Sequence, residues 1–320
     1  MRYKAFGNTG VQVSELAFGT WGISGLGWDD HSEEERSDAI LAAVEQGVTL
    51  FDTAPAYNDC VAERLLGKIF AENHLRDKVL IATKCGNEYI GGKYVRDGRS
   101  EMIFRECEKS LKNLRTDYID FYLVHWPDPN VPLQETFSAL AELKRQGKVR
   151  FVGVSNFTPE QIAEASKACP VDVLQLQYSM VNRDFEARLK AARAQGMATM
   201  TYGSVGGGIL TGRYRTLQPF DPADNRSRFY PYFKEPLFSH CMELLSVLDE
   251  VAAAHEGASP SQVALNWSTQ KDFVDTAIVG AQKRSRVTQN TDAFRWQLSA
   301  DELRVLDAAV ERYTQAAKNG

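Results

Sequence analysis

Several features that would assign this 320-residue chain to a common class are missing from its sequence. It has no run of 18 apolar residues, and residues 1–6 lack the apolar core of an export signal. The five cysteines are scattered, odd in number and without any Cys-x-x-Cys pair, which excludes a disulfide framework and a zinc site. We therefore expect a soluble cytoplasmic protein with reduced thiols, no metal and no membrane partner.

A dominant charge of one sign is also missing. The chain has 37 Lys and Arg against 42 Asp and Glu, a formal net charge of -5, and no predicted basic face, so nucleic-acid binding is not expected. No low-complexity or Pro/Gly-rich linker divides the chain. With 43% hydrophobic residues it can bury a large core, and we predict a single domain over residues 1–320.

Apolar strand patterns alternate with amphipathic helix patterns along most of the chain. Strands are predicted at residues 15–19, 48–52, 79–84, 118–125, 149–154, 172–177, 197–202 and 276–280. Helices are predicted at residues 33–46, 102–114, 133–146, 159–168, 183–195 and 259–269. Nearly continuous apolar strands alternating with helices indicate a parallel sheet covered by helices. Eight repeats over this length favour a closed (β/α)8 TIM barrel of the α/β class.

Two further patterns refine this prediction. The turn residues Gly7-Asn8-Thr9-Gly10 lie between two short runs and predict an N-terminal hairpin. An open doubly wound sheet would instead carry Gly-x-Gly-x-x-Gly after its first strand, and the chain has no such motif. The longest irregular stretch, residues 211–236, follows the seventh strand and is predicted to be a functional loop.

Three consecutive predicted strands end on ionisable residues, namely Asp52, Lys84 and His125, and Tyr57 follows the first of them. Catalytic groups of parallel barrels lie at the carboxyl ends of the strands, so these four should converge. An isolated Asp–Lys pair is usually structural, but three adjacent strand ends together favour a site. We expect Asp52 to orient Lys84, Lys84 to lower the pKa of Tyr57, and His125 to donate a hydrogen bond to a carbonyl oxygen. Such a set suits carbonyl reduction, with Tyr57 as general acid and hydride from a nicotinamide.

A second tyrosine–lysine pair, Tyr89 and Lys93, has the Tyr-x-x-x-Lys spacing of short-chain dehydrogenases. That pair works only on a helix, where residues four apart share a face. Gly91 and Gly92 lie between them and make a helix unfavourable. We therefore do not assign this pair to the site.

The motifs together resemble the aldo-keto reductase family over essentially the whole chain. They are Gly7-Asn8-Thr9-Gly10-Val11-Gln12-Val13-Ser14, Phe18-Gly19-Thr20-Trp21, Asp52-Thr53-Ala54-x-x-Tyr57, Lys84, His125-Trp126-Pro127-Asp128 and Gly153-Val154-Ser155-Asn156-Phe157. The resemblance implies a hairpin that plugs the bottom of the barrel, a catalytic tetrad of Asp52, Tyr57, Lys84 and His125, and a nicotinamide cofactor.

The resemblance also implies a set of cofactor-binding residues. Around the nicotinamide and the pyrophosphate they are Thr20, Trp21, Asp52, Ser155, Asn156, Gln177, Tyr202, Gly203, Ser204, Val205, Gly206, Leu210, Gly212 and Arg213. Around the adenosine they are Gly280, Ala281, Gln282, Arg286, Gln289 and Asn290. Many relatives carry Ser-Pro-Leu at positions 203–205, so this chain's Gly-Ser-Val predicts a more flexible loop. Arg286 aligns with the position that meets the 2′-phosphate, which favours NADPH/NADP+ while NADH stays possible.

The substrate pocket is expected to be lined by Trp21, Tyr57, Tyr89, His125, Trp126 and Phe229, with residues 225–229 as a cover. Aromatic walls encode little identity, so aldehyde, ketone, sugar and quinone substrates all stay open, as does the oligomeric state. Two other functions also stay open. One is an NADP(H)-binding redox-sensing or regulatory barrel with little turnover, and the other is a lyase or isomerase that uses Lys84 as a Schiff-base amine.

Overall fold

The computed structural model describes residues 1–29 and 31–319. Its strands are β1 (Tyr3–Ala5), β2 (Gln12–Ser14), β3 (Leu16–Gly19), β4 (Leu50–Asp52), β5 (Leu80–Cys85), β6 (Asn87–Ile90), β7 (Lys93–Arg96), β8 (Ile119–Val124), β9 (Val149–Ser155), β10 (Val173–Gln177), β11 (Ala198–Tyr202) and β12 (Thr276–Gly280). Its α-helices are α1 (Glu33–Glu45), α2 (Val61–Glu72), α3 (Ser100–Leu114), α4 (Leu133–Arg145), α5 (Pro159–Ala165), α6 (Glu186–Ala194), α7 (Asn225–Phe229), α8 (Leu237–Ala253), α9 (Pro260–Thr269), α10 (Arg284–Asp292) and α11 (Ala300–Asn319).

Eight strands close into a parallel barrel. Their order around it is β3, β4, β5, β8, β9, β10, β11 and β12, and β12 pairs with β3 to complete the ring. This confirms the predicted TIM barrel, and each of the eight predicted strands is present with its ends displaced by no more than two residues. Because all eight strands are parallel, their carboxyl ends meet at one mouth, where the tetrad residues lie.

The N-terminal hairpin closes the opposite end of the barrel. β1 and β2 pair in antiparallel fashion, and Phe6 and Val13 are fully buried among the side chains that fill the barrel interior. The ring of Phe6 packs edge-on against Phe121, 5.0 Å between centroids. Gly7 has φ +51°, and a Cβ on it would lie 2.3 Å from the backbone nitrogen of Ala198. The predicted plug is therefore confirmed, and it fits only with glycine at this turn.

The helices form the outer layer, and several begin as their sequences indicate. Thr158 caps α5 by accepting from the backbone of Gln161, while the Gln161 side chain accepts from the backbone of Thr158. Residues 203–236, between β11 and α8, contain α7 and two short 3-10 segments rather than a purely irregular loop. No helix within the described ranges is both long and apolar enough to cross a membrane.

One hairpin lies outside the barrel strands and rises beside its mouth. β6 and β7 follow β5 directly and pair through Tyr89 with Tyr94 and Asn87 with Arg96. Gly91 and Gly92 form the turn. The prediction that Tyr89 and Lys93 do not lie on one helix is therefore confirmed.

Candidate active site

A buried ion pair lies at the centre of the mouth. Lys84 Nζ donates to Asp52 Oδ1 at 2.8 Å and Oδ2 at 2.9 Å, and to the backbone oxygen of Thr53 at 2.9 Å. The same ammonium lies 3.2 Å from the hydroxyl oxygen of Tyr57. Lys84 and Asp52 are 1% and 3% exposed, so water does not screen the pair. The expectation that Asp52 orients Lys84 agrees with this geometry.

The predicted effect of Lys84 on Tyr57 is wrong. Burial raises the pKa of the Tyr57 phenol well above its ordinary value, and the negative charge of Asp52 and the neighbouring Tyr94 add to the increase. The carboxylate of Asp52 binds the ammonium through both oxygens and offsets its charge. Tyr57 is therefore a protonated phenol that can donate to an oxygen beside it but has no tendency to ionise in the absence of a ligand.

His125 is held as a neutral imidazole. Burial lowers its pKa well below its ordinary value, and the charges of Lys84 and Arg96 add to the decrease. Its ring lies edge-on to the Tyr57 ring, 6.2 Å between centroids. Its Nδ1 is buried and has no hydrogen-bond partner among the described residues. A neutral imidazole carries one N–H, so the ring can donate one hydrogen bond beside the phenol, as expected.

A glutamine that the sequence analysis did not assign completes the cluster. Gln175 is 3% exposed, and its Nε2 donates to Asp52 Oδ2 at 2.7 Å. Asp52 thereby receives hydrogen bonds from Lys84 and Gln175, and this fixes the carboxylate plane. Gln177, which the resemblance assigned to the nicotinamide, lies two residues later on the same face of β10. Both glutamines are amides in an otherwise apolar strand, and this pattern in the sequence could have indicated a functional role for either residue.

The ends of β9 and β11 are joined by a hydrogen-bonded asparagine. Asn156 adopts a left-handed backbone with φ +65°. Its Nδ2 donates to the backbone oxygen of His125 and to Ser155 Oγ, both at 3.0 Å, and Tyr202 donates from its hydroxyl to Asn156 Oδ1, also at 3.0 Å. The structure thus brings the predicted Ser155, Asn156 and Tyr202 together beside His125. Gln177 lies against Gly203, where a Cβ would meet its side chain at 3.3 Å.

Several predicted cofactor residues have side chains already engaged in the scaffold. Thr20 is fully buried and its Oγ1 donates to the backbone oxygen of Asp52 at 2.9 Å. Ser204 is 2% exposed and Leu210 is fully buried under the loop. Gln282 donates to the backbone oxygen of Gly22 at 2.7 Å, which ties the loop after β3 to β12.

The loop after β11 approaches its neighbours closely. Gly207 has φ +67°, and a Cβ there would lie 2.6 Å from the ring of Tyr230, so this turn requires glycine. The predicted loop residues Val205, Gly206 and Gly212 lie in the same short turn structure. Arg213, at its end, is exposed and lies 3.6 Å from Asp29 Oδ2.

The adenosine segment has three cations with different surroundings. Lys283 lies 3.3 Å from Glu35, and Arg284 is paired with Asp38 at 2.7 Å and with Glu45 at 2.5 Å. Arg286 is exposed and has no acidic partner among the described residues. Its NH1 donates to Gln289 Oε1 at 2.7 Å.

The last three predicted adenosine residues flank this group of cations. Gly280 and Ala281 carry the chain out of β12, and Asn290 is half-buried in α10.

An aromatic rim surrounds the phenol. The Trp21 ring stacks 6.4 Å from Tyr57, and Phe229, which is 48% exposed, packs 5.5 Å from Trp21. On the side of the hairpin, Tyr89 lies 5.1 Å from Tyr94. The remaining predicted wall residue, Trp126, carries Arg96 over its ring at 4.9 Å. Ring contacts at the opening of the barrel link four of the residues expected to line the pocket, Trp21, Tyr57, His125 and Phe229. The hairpin adds Tyr94 and Arg96, which the sequence analysis did not assign.

Comparison with known proteins agrees with this arrangement. The Aldo/keto reductase family model matches residues 15–311. The chain is 35% identical over 312 residues to the aldo-keto reductase YhdN of Bacillus subtilis, covering 97% of this chain and 94% of the relative. Among solved structures, the glycerol dehydrogenase AKR11B4 from Gluconobacter oxydans superposes with a TM-score of 0.89 at 31% identity, covering 97% of this chain and 95% of that one.

The holo form of aldo-keto reductase AKR11C1 from Bacillus halodurans is also similar, with a TM-score of 0.78 at 26% identity, covering 97% and 96% of the two chains. The family model, the relatives and the solved structures with the same barrel are all aldo-keto reductases or similar enzymes of that fold. The chain belongs to the aldo/keto reductase family, whose members are oxidoreductases that act on carbonyl compounds.

Proposed function

We propose that this single-domain protein reduces an aldehyde or ketone to the alcohol with NADPH, and that Tyr57 is the general acid. The contact of 3.2 Å between Lys84 Nζ and the Tyr57 hydroxyl carries the proposal. A protonated phenol beside a buried ammonium donates to a carbonyl oxygen and keeps a cation next to the phenolate that forms. The two groups therefore stabilise negative charge where the reaction creates it.

The residues at the mouth fit a nicotinamide. Ser155, Asn156 and Tyr202 offer hydroxyl and amide groups beside His125, and the indole of Trp21 lies on the other side of Tyr57. A bound NADPH supplies the hydride that the carbonyl carbon accepts. The C=O π bond breaks, the carbon gains hydride, and the oxygen gains the proton of Tyr57. His125, neutral, donates a hydrogen bond to the same oxygen as charge develops on it.

The preference for NADPH rests on the cations of the adenosine segment. Lys283 and Arg284 are already paired with carboxylates. Within residues 1–29 and 31–319, Gln289 is the one side chain that binds the Arg286 guanidinium, so Arg286 can bind a phosphate without breaking an ion pair. Arg286 is therefore the proposed partner of the 2′-phosphate.

The geometry disfavours a Schiff-base reaction at Lys84. Its amine contacts both oxygens of Asp52, the backbone oxygen of Thr53 and Tyr57, and it is 1% exposed. A Schiff base forms when the amine attacks a carbonyl carbon, and four oxygen atoms of the protein already surround this amine. The name of the glycerol dehydrogenase neighbour, an enzyme of alcohol–carbonyl interconversion, also supports a redox reaction.

The test is NADPH oxidation against a broad panel of aldehydes, ketones, sugars and quinones, with wild-type and Tyr57→Phe protein. We expect wild-type turnover on at least one carbonyl and a loss of at least about a hundredfold in the variant, because general acids typically contribute 10²- to 10⁴-fold. Full activity in Tyr57→Phe would contradict the acid role. Tight NADPH binding without any turnover would support the regulatory barrel instead.

A further inference from the structure

Two arginines at the mouth lie on aromatic rings rather than on carboxylates. The guanidinium carbon of Arg96 is 4.9 Å from the ring centroid of Trp126, and that of Arg228 is 5.6 Å from the centroid of Phe229. Both side chains are exposed, and neither forms an ion pair or a hydrogen bond with another described residue. Their charges are therefore available to a ligand.

Arg226, in the same short helix as Arg228, has a structural role. It is 6% exposed, and it binds Asp29 at 2.7 Å and Asp224 at 2.6 Å. Its guanidinium fastens α7 to the loop after β3. Arg228, two residues later in α7, has no such partner and lies beside the opening.

The hairpin turns Arg96 towards the opening. Residues two apart in a strand share a face, so Arg96 and Tyr94 point the same way. Glu88, on the opposite face, binds Arg105 and Lys109 of α3 at 2.8 Å and 3.4 Å. The face that carries Arg96 and Tyr94 is thereby directed away from α3 and towards the aromatic rim.

Acidic groups near Arg96 in the sequence are already engaged. Asp97 is bound by Arg99 at 2.5 Å. Asp128, which follows Trp126, accepts from the backbone nitrogens of Gly98 at 3.1 Å and Asn130 at 2.9 Å. Both carboxylates therefore have hydrogen-bond donors other than Arg96.

The catalytic centre itself contributes little net charge. The charges of Asp52 and Lys84 cancel, Tyr57 is protonated, and His125 is neutral. The two arginines therefore add positive charge at the opening, although the whole chain carries a net charge of -5. A positive opening on an acidic protein favours anionic ligands.

We propose that the substrates are aldehydes and ketones that carry an anionic group, a carboxylate or a phosphate, which Arg96 and Arg228 bind while the carbonyl oxygen lies at Tyr57. This inference rests on the proposed carbonyl reduction. The paired N–H donors of a guanidinium group match the oxygens of a carboxylate or a phosphate. The aromatic ring beneath each guanidinium holds it in a fixed orientation. The aromatic rim binds the carbon skeleton between the anion and the carbonyl.

The test compares each anionic aldehyde with a neutral counterpart of the same carbon skeleton around the carbonyl. Reduction of 4-carboxybenzaldehyde is measured beside methyl 4-formylbenzoate, and glyceraldehyde 3-phosphate beside glyceraldehyde, at saturating NADPH. We expect wild-type kcat/KM to favour the anion of at least one pair about tenfold. The pair that shows the preference identifies carboxylate, phosphate or both as the recognised group. A ratio near one in both pairs, with the neutral aldehydes turned over, would overturn the proposal.

Variants then assign the preference to the arginines. In Arg96→Gln/Arg228→Gln the ratio should fall to about one, and because it compares two substrates on the same variant, it is insensitive to any general loss of activity. Arg312→Gln removes an equal charge from the exposed surface of α11 and is the matched control for one substitution. An unchanged ratio in the double variant would overturn the role of the two arginines.

A binding measurement separates this inference from the proposed function. If neither aldehyde of a pair is reduced, carbonyl reduction fails, and binding of 4-carboxybenzaldehyde is followed through the fluorescence of Trp21 and Trp126. Weaker binding to Arg96→Gln/Arg228→Gln than to Arg312→Gln would then still support an anion site. Equal binding would overturn it.

Discussion

Two buried aspartates, one at each end of the barrel, carry ion pairs with different consequences. Asp120, near the start of β8, accepts from Arg76 at 2.8 Å, Arg150 at 2.7 Å and the backbone nitrogen of Ile81 at 3.0 Å. Asp52, at the mouth, binds Lys84 and Gln175. The two aspartates are 1% and 3% exposed.

The difference lies in where each network ends. Arg76 also donates to the hydroxyl of Thr116 and to the backbone oxygens of Val79 and Tyr118, so the network of Asp120 ends on the scaffold. The network of Asp52 ends on Tyr57, whose hydroxyl lies beside His125 at the opening. Both aspartates are buried and paired with a cation. Only the Asp52 network ends on side chains, Tyr57 and His125, that can still form hydrogen bonds with a ligand.

The matched substitutions Asp120→Asn and Asp52→Asn give the largest expected effects. Each leaves a cation without its carboxylate, so each should lower the free energy of unfolding by about 3 kcal/mol. Only Asp52→Asn should also lower kcat, by about a hundredfold or more, because Lys84 is then misplaced relative to Tyr57. Urea denaturation and turnover per folded molecule measure the two effects. Equal loss of turnover in both variants would remove the distinction between the two ends.

A second pair tests the same distinction at the adenosine segment. Arg286→Ala should weaken NADPH binding about thirtyfold and leave NADH binding unchanged, since a charge-assisted hydrogen bond to phosphate is worth about 2 kcal/mol. Arg284→Ala should leave the ratio of the two dissociation constants unchanged because Asp38 and Glu45 already occupy that guanidinium. Titration of both cofactors into both variants provides the measurement. Equal weakening of NADPH and NADH by Arg286→Ala would exclude a contact with the 2′-phosphate.

Gln175→Leu tests how far the orientation of Asp52 matters. Loss of the bond of 2.7 Å to Asp52 should lower kcat about tenfold, the equivalent of one hydrogen bond to a charged group. Gln177→Leu, two residues later on the same strand face, should leave the Asp52 carboxylate in place and serves as the comparison. A larger loss of kcat in Gln177→Leu than in Gln175→Leu would reverse the assignment.

The smallest expected effect is on stability against pH. The pKa of His125 in the folded protein lies well below the ordinary value, mainly through burial, so the unfolded chain binds more protons below about pH 6.5. Stability should therefore fall with decreasing pH. Between about pH 7.5 and about pH 5.5, wild-type should lose about 1 kcal/mol more than His125→Gln. Parallel pH profiles of the two proteins would show that folding does not lower the pKa of His125.

Much of the fold and of the catalytic cluster could be predicted from local patterns. The eight strands are nearly continuous apolar runs, and Asp52, Lys84 and His125 interrupt them only at their ends. Helix α2 was not predicted because it begins without a capping side chain, after three residues with positive φ that end at Cys60. Such a start has no local sequence signal.

Other features depend on tertiary packing and were not predictable. Gln175 and Gln177 lie on the same strand face, and only the barrel register, which pairs Gln175 with Ser155, places the former beside Asp52. The pKa of Tyr57 was predicted with the wrong sign because burial of the phenol is invisible in the sequence. Whether Arg96 can bind a ligand likewise depends on which groups bind the nearby Asp97 and Asp128, and this is set by tertiary packing.

The central claim is that Tyr57 delivers the proton as hydride reaches the carbonyl. The most direct measurement is single-turnover oxidation of NADPH, unlabelled and deuterated at the transferred position, by wild-type and Tyr57→Phe protein with a substrate from the carbonyl panel. We predict a deuterium isotope effect above one in wild-type and a rate at least about a hundredfold lower in the variant. A variant that transfers hydride at the wild-type rate would contradict the account.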